Sequence, residues 1–348
     1  MDGLVEAHLV LVDARAARVF PSATAEIGDS SGVIWNDALG TRAFDDAAAV
    51  DLTTPYDLAS LTKVIATTSI AMQLVDHRTM SLDTQLSTIF PEWKSVDRDT
   101  AIVRDLLEHA SGLPARFVDA PPHTPREFLH DICSIPLEYP VRARSIYSDL
   151  GFILLGFGLE QIGNASLASQ FERVWSDRSL TFDLSDDAKK RAAPTLPLGD
   201  DARRGRRLTG VVHDNYAARL GGAAGHAGLF GDVAAVGKFA RTVLRAARGG
   251  SNEPPPFSAA LMTTFAARSR VPGSSRGLGW DTMLLTSSCG TRMSAAAFGH
   301  VGYTGTSLWI DPMRDRYFVL LTNRACGGGT LEAMRDARRA FHDALGDV

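Results

Sequence analysis

Apolar and polar positions change their spacing several times along the chain. The runs 18–27 (RVFPSATAEI) and 32–39 (GVIWNDAL) flank Gly28-Asp29-Ser30-Ser31, a pattern that predicts two strands and a hairpin turn. From 58 to about 77 the chain reads LASLTKVIATTSIAMQLVDH, apolar or small on nearly every face, which predicts a buried helix rather than an amphipathic surface one. Residues 80–145 are broken by Pro91, Pro114, Pro121, Pro122, Pro125, Pro136 and Pro140, so short helices and loops are expected there. A second apolar helix is predicted over about 149–162 (DLGFILLGFGLEQI). The polar, Arg-rich stretch 185–210 reads as loop, and a helix is expected at about 232–248. Between them lies the glycine-rich 221–231 (GGAAGHAGLFG), where the backbone must turn tightly or approach something closely.

The last hundred residues change character. Strands are predicted over 277–284, 306–312 and 316–323, with Met313-Arg314-Asp315 as the turn between the last two and a helix over 330–345. Strands at both ends with helices between them predict an α/β (α+β) protein with one mainly antiparallel sheet. The expected division is a discontinuous sheet domain from residues 1–78 and 246–348, with an all-helical domain from 79–245. No repeat or low-complexity segment interrupts this.

Composition narrows the function class. The 348 residues are 45% hydrophobic and 22% charged, an ordinary globular mixture with a formal charge of −4. No basic stripe marks a nucleic-acid partner, and the run Arg203-Arg204-Gly205-Arg206-Arg207 reads as a solvated loop. No window approaches the 18 apolar residues of a membrane span. Met1-Asp2-Gly3-Leu4-Val5-Glu6 has acids where a signal peptide would be apolar, so a cytoplasmic protein is expected, or a periplasmic one if the natural chain begins upstream. Cys133, Cys289 and Cys326 are odd in number and widely spaced, fitting neither a zinc pattern nor a disulfide framework. The oligomeric state is open.

Only five of the 36 basic residues are lysine, and one of them, Lys63, lies inside an apolar helix. Three residues before it stands Ser60. On a helix, positions three apart share a face, so the Ser60 hydroxyl can reach the Lys63 amine. A serine becomes a nucleophile when a neighbouring base takes its proton, and a lysine whose pKa is lowered by burial or nearby cations can be that base. The spacing S-x-x-K arises roughly once by chance in a chain this long; the apolar setting of its lysine gives it weight, because a buried charge without a role is expensive. Two further stretches carry candidate chemistry. In Tyr147-Ser148-Asp149 the phenol can relay a proton, although Ser148 or Asp149 also fits a helix N-cap and Tyr147 a core aromatic. In His300-Val301-Gly302-Tyr303-Thr304-Gly305, two glycines beside a strand allow close approach of a substrate, and the Tyr303 amide can join that of Ser60 as an oxyanion donor.

In this order and at roughly these intervals, the three stretches resemble the serine β-lactamase and penicillin-binding protein superfamily, in its class C-like branch. Similar stretches extend beyond them: Tyr56-Asp57-Leu58-Ala59-Ser60-Leu61-Thr62-Lys63, Arg104-Asp105-Leu106-Leu107-Glu108-His109-Ala110-Ser111-Gly112-Leu113-Pro114, and Gly299 through Gly305. The resemblance covers about 18–345. It implies a β-lactamase/transpeptidase-like fold and a two-step reaction through an acyl-enzyme, with no cofactor and with a small-molecule or peptide substrate as the partner. Ser60 would be the nucleophile, Lys63 its activating partner and Tyr147 the proton shuttle, with the Ser60 and Tyr303 amides as oxyanion hole. Asp149, His300, Gly302, Thr304 and His226 would contact substrate. The segment Val211-Val212-His213-Asp214-Asn215 through Gly225-His226-Ala227-Gly228 resembles penicillin-binding protein 4B-like sequences, and no catalytic role is attached to it.

Two positions depart from the family pattern. Val301 stands where a hydroxyl would hold a substrate carboxylate, and Asp149 replaces an amide with a negative charge. Both argue against efficient binding of anionic β-lactams. The expected activity is therefore an esterase or a D,D-carboxypeptidase-like amidase; the alternatives are a class C-like β-lactamase and a non-catalytic ligand sensor or scaffold on the same fold. Gly28-Asp29-Ser30-Ser31-Gly32 matches G-x-S-x-G, but a strand rather than a helix follows it. The nine histidines form no H-E-x-x-H or other metal-ligand spacing, and neither a P-loop nor G-x-G-x-x-G is present.

Overall fold

A computed structural model describes residues 3–199, 201–250 and 256–348. Six strands form one antiparallel sheet: β1 (Ser22–Gly28), β2 (Val33–Gly40), β6 (Asp281–Thr282), β7 (Phe298–Val301), β8 (Ser307–Asp311) and β9 (Arg316–Thr322), in the order β2-β1-β9-β8-β7-β6. Both termini thus feed one sheet. Three two-residue strands, β3 (Tyr56–Asp57), β4 (Leu180–Thr181) and β5 (Phe230–Gly231), form a second small sheet in the order β3-β5-β4.

Alternation along β8 and β9 explains how the sheet is covered. Trp309, Phe318 and Leu320 face one side, where they pack with Ala7 and Leu11 of α1 (Gly3–Ala16) and with Met334 and Phe341 of α12 (Leu331–Ala344). Leu308, Ile310, Val319 and Leu321 face the other, with Val236, Phe239 and Val243 of α10 (Val233–Ala247). Strands covered on both faces read as continuous apolar runs, which is why RYFVLLT was visible in the sequence.

Between β3 and α10 lie most of the remaining helices. Residues Lys63–Thr67 form a π-helical turn that runs into α2 (Thr68–Asp76). The short α3 (Leu86–Ile89), α4 (Val103–Leu107) and α5 (Pro125–Ser134) follow, then the buried α6 (Asp149–Gly163), α7 (Leu167–Val174), α8 (Asp186–Arg191) and α9 (Asn215–Arg219). The helix α11 (Ala259–Ala266) comes after α10. Among the described residues no single helix is long and apolar enough to cross a membrane, and the three cysteines are free and buried.

Four expectations change. The predicted strand 277–284 shrinks to β6, because Gly279 takes φ +84° and Gly277 donates to the Trp280 carbonyl in a turn. The stretch 185–210 is not all loop: Ser185 caps α8, whose first turn holds Asp186 and Asp187 and whose last holds Lys189, Lys190 and Arg191, the favourable charge order for a helix dipole. The N-terminal helix α1 was not anticipated, its apolar residues running round the helix so that Val5, Leu9 and Val12 remain exposed. Finally, α10 falls within the helical domain expected to end at residue 245, yet it packs on the sheet.

The glycine-rich segment is a point of close approach. A Cβ on Gly225 would strike the carbonyl of Phe152 in α6 and press on Gly156. The Gly225 carbonyl accepts a hydrogen bond from Thr67 Oγ1 at 2.7 Å, so this backbone is wedged between two buried helices. Gly225→Ala is expected to cost about 1–3 kcal/mol through overpacking, read as a lower urea midpoint.

Candidate active site

Ser60 stands on a sharp turn after β3. Ala59 takes φ +48°, a left-handed conformation that costs a residue with a Cβ about 1 kcal/mol. Hydrogen bonds hold it there: Asp57 Oδ1 accepts from the Ala59 amide at 2.8 Å, and Asp57 Oδ2 from the His213 amide at 2.6 Å. Burial pushes the Asp57 carboxyl up to about 6, against the pull of these two bonds. The large sheet braces the same turn. Thr304 Oγ1 donates to the Asp57 carbonyl at 2.8 Å, and Thr306 Oγ1 to the Leu58 carbonyl at 3.0 Å. Thr304, expected to meet substrate, is buried with its hydroxyl committed to this brace.

Ser60 Oγ receives two hydrogen bonds, from Lys63 Nζ at 3.1 Å and from Tyr147 Oη at 2.7 Å. Lys63 is fully buried, and its ammonium donates also to Asp149 Oδ1 at 2.8 Å and to the His226 carbonyl at 3.1 Å. These are the three donors an ammonium has. Burial alone would depress the lysine, but Asp149 and Tyr147 outweigh it and hold its pKa above the ordinary value. Lys63 therefore rests as a cation. Burial likewise raises the Tyr147 phenol, with Lys63 opposing.

Asp149 sits in the first turn of α6, behind the N-cap Ser148. Its second oxygen accepts from Arg116 at 2.9 Å. Arg116 also reaches Asp214 Oδ2 at 3.0 Å and Asn215 Oδ1 at 2.8 Å, and lies over the Tyr216 ring at 4.0 Å. Asp214 Oδ1 in turn pairs with His226 Nε2 at 2.7 Å. The Asp149 carboxylate, with burial opposing and Lys63 favouring ionisation, stays below its ordinary pKa. Its charge is therefore spent on Lys63 and Arg116. It is not a free negative charge facing substrate, contrary to the sequence reading.

Across the cleft, His300 lies on β7. Its Nδ1 is 2.9 Å from the Val301 carbonyl, and a carbonyl only accepts, so Nδ1 carries the proton and Nε2 is an acceptor. Burial, then Arg276 and Lys63, hold its pKa well below the ordinary value, so the ring is neutral. A Cβ on Gly302 would run into Thr306 Oγ1 and the Leu58 carbonyl, which makes glycine obligatory where this strand meets the Ser60 turn. The buried Arg338 of α12 clamps the same corner, donating to the Gly302 and Thr306 carbonyls at 2.6 and 2.9 Å. Tyr303 is 40% exposed and stacks on His213 with centroids 5.3 Å apart. Ser60, Tyr147, Asp149, His226, His300, Gly302 and Tyr303 all line one cleft of about 440 Å³, whose other walls include Ala115, Leu198, Val301 and Leu331. Among the described residues no cluster of His, Cys, Asp or Glu is arranged to hold a metal ion.

The family model described as Beta-lactamase matches residues 10–342. The chain belongs to the beta-lactamase family. A provisionally named D-alanyl-D-alanine carboxypeptidase of Escherichia coli (strain K12) is 28% identical over 349 aligned positions, covering 88% of this chain and 79% of the relative. Among solved structures, EstCE1, a hydrolase with promiscuous acyltransferase activity, superimposes with a TM-score of 0.78 at 18% identity over 99% of this chain and 98% of its own. A beta-lactamase from Sulfitobacter sp. EE-36 gives a TM-score of 0.78 at 19% identity, over 99% and 97%. The fold is β-lactamase/transpeptidase-like. Within it, this member of the beta-lactamase family is a serine hydrolase.

Several site residues of this beta-lactamase-family chain had no signal of their own. Arg116 lies in a loop two residues past Gly112-Leu113-Pro114, with no spacing to betray it. Arg276 reaches the site only through folding, its guanidinium 5.1 Å from the Tyr147 ring centre. His109, inside a stretch that carried the resemblance, packs 4.7 Å from the Tyr147 ring and accepts from the Ser148 amide at 3.0 Å, fixing the tyrosine from behind.

The Asp149–Lys63 pair sets the protonation of the site. Asn in place of Asp149 removes the carboxylate that holds the ammonium up, so Lys63 loses its proton at lower pH. With an activated ester, the rising alkaline limb of kcat/KM against pH is therefore expected to move to lower pH in Asp149→Asn than in wild type.

Proposed function

We propose that this chain hydrolyses ester and amide carbonyls through a Ser60 acyl-enzyme, as a carboxylesterase or D,D-carboxypeptidase-type amidase. The observation that carries the reading is Ser60 Oγ held at once by Lys63 at 3.1 Å and Tyr147 at 2.7 Å. Lys63, after losing a proton, draws the hydroxyl proton as Oγ attacks the carbonyl carbon. Tyr147 passes a proton to the leaving group. The amides of Ser60 and Tyr303 are the oxyanion donors, fixed by the brace of Thr304, Thr306 and Arg338 around them. Water then releases the acid and regenerates Ser60.

Two features bear on substrate. The cleft wall is largely apolar, which suits an acyl chain. Arg276, whose ion pair with Asp281 is as long as 3.9 Å, offers a cation beside Tyr147 for a carboxylate on the leaving side. That favours a peptide ending in a free carboxylate as a second substrate class, in line with the name of the Escherichia coli relative. Neutral His300 and the hydroxyl-free Val301 supply neither the cation nor the hydroxyl that would grip a β-lactam carboxylate from the strand side.

Turnover of a short-chain p-nitrophenyl ester is expected in wild type and abolished in Ser60→Ala; equal rates in both would remove Ser60 from the chemistry. Release of D-alanine from an acyl-D-alanyl-D-alanine peptide separates amidase from esterase. A chromogenic cephalosporin is expected to turn over at least about 100-fold more slowly than the ester, and rapid turnover would make the chain a β-lactamase.

A further inference from the structure

The cleft has two chemically different ends, and β7 runs between them. At one end Asp281 pairs with Gly299 across the sheet, Arg276 reaches Asp281 at 3.9 Å, and the His300 ring lies 5.8 Å from that of Tyr147. This end holds the phenol and the guanidinium, so in the acyl-enzyme mechanism it receives the leaving group. Tyr303 stands at the other end, three residues beyond His300 and past the end of the strand. A carbonyl carbon under attack carries Ser60 Oγ, the oxyanion, the leaving group and the acyl chain. With the oxyanion on the Ser60 and Tyr303 amides and the leaving group toward Tyr147, the acyl chain is left to run toward the Tyr303 end.

That end is apolar, open to solvent and held in place. Leu198 and Leu331 line the cleft and, like the Tyr303 ring, remain exposed. The segment 324–331 gathers all three. Arg324 donates to the Tyr303 carbonyl at 2.7 Å and to the Gly329 carbonyl at 3.2 Å, and its guanidinium lies 4.6 Å from the Tyr303 ring centre. Leu331 follows Gly329 by two residues. The Ala325 carbonyl accepts from the Leu196 amide at 2.8 Å, which brings the loop bearing Leu198 alongside. On the same side Tyr303 is stacked on His213, whose carbonyl accepts from Arg203 at 2.8 Å. Leu196 and Val211, each two residues from a lining residue, are exposed as well, so the apolar surface continues onto the rim. Leucines left in water on a concave wall beside a nucleophile gain free energy only when an apolar group covers them.

We propose that Leu198, Leu331 and the Tyr303 ring are the acyl-selecting surface of the cleft, and that the chain's substrates carry an apolar acyl group of several carbons. The inference rests on the acyl-enzyme reading above. The acyl chain leaves the Ser60 ester past Tyr303 and covers the two leucines, releasing water from all three side chains. An acetyl group is too short to reach them. Selection is thus by the acyl part, at the apolar end, while the polar end with Tyr147 and Arg276 handles whatever departs.

The test compares kcat/KM for p-nitrophenyl hexanoate and p-nitrophenyl acetate, which share a leaving group, in wild type, Leu198→Asn and Leu331→Asn. Wild type is expected to favour the hexanoate by at least about tenfold, since a single methylene in an apolar pocket can be worth that much. Each variant is expected to cut this ratio by about fivefold. The ratio separates chain recognition from any general loss of activity, and both leucines are exposed, so their replacement spares the core. A wild-type ratio near one, or a ratio unchanged in either variant, would overturn the proposal. A preference for hexyl acetate over ethyl acetate that the variants abolish would also overturn it, by placing the leucines on the leaving side. Absence of turnover of both p-nitrophenyl esters in wild type would instead overturn the hydrolase reading on which it rests.

Discussion

A lysine ammonium with no solvent exposure is the constraint on which the rest of the site depends. Leaving such a charge without partners costs several kcal/mol, and the chain meets this by drawing three acceptors from three separate segments. Ser60 comes from the turn before the lysine, Asp149 from the start of α6, and the His226 carbonyl from the glycine-rich segment. None of the three can move far without stranding the charge, so one ion fixes the mutual placement of Ser60, the tyrosine motif and the pocket wall. The glycines follow from the same demand: Gly225 lets the carbonyl-bearing backbone lie against α6 closely enough for the next residue to reach Lys63.

The turn bearing Ser60 is held from both sides in a conformation it would not adopt alone. Ala59 in the left-handed region is a small store of strain. Against it work the buried Asp57 carboxylate, two threonine hydroxyls from the β7–β8 turn and the β3–β5 pairing. These bonds fix the Ser60 amide in place, which is the preorganisation its proposed oxyanion role requires.

How far the sequence reveals this depends on whether a feature is local. Ser60 and Lys63 share a helix turn, so three residues of spacing are enough. The buried helices and strands β8 and β9 announce themselves because apolar cover on all sides leaves no polar phase in the text. The strand at 277–284 misled because the meaning of Gly279 depends on its φ. The helix α8 was legible in Ser185 and its flanking charges, and was obscured by overall polarity. Thr304 was misplaced since a motif names a residue without saying which way its hydroxyl turns. Arg116 and Arg276 were invisible, since only the fold brings a loop arginine to Asp149 or to Tyr147.

Asp149 shows why identity at a motif position does not settle its electrostatics. Read alone, a carboxylate in place of an amide repels anions. In the folded site it stands between two cations, Lys63 and Arg116, while Asp214 stands between Arg116 and His226. Alternating charges at about 3 Å largely cancel at the distance of a substrate, and what remains is protonation control. The carboxylate holds Lys63 as an ammonium, so in the proposed acyl-enzyme mechanism the step that frees its proton becomes part of the acylation barrier. The same chain of side chains ends at His226, whose Nε2 lies 2.7 Å from Asp214 Oδ1.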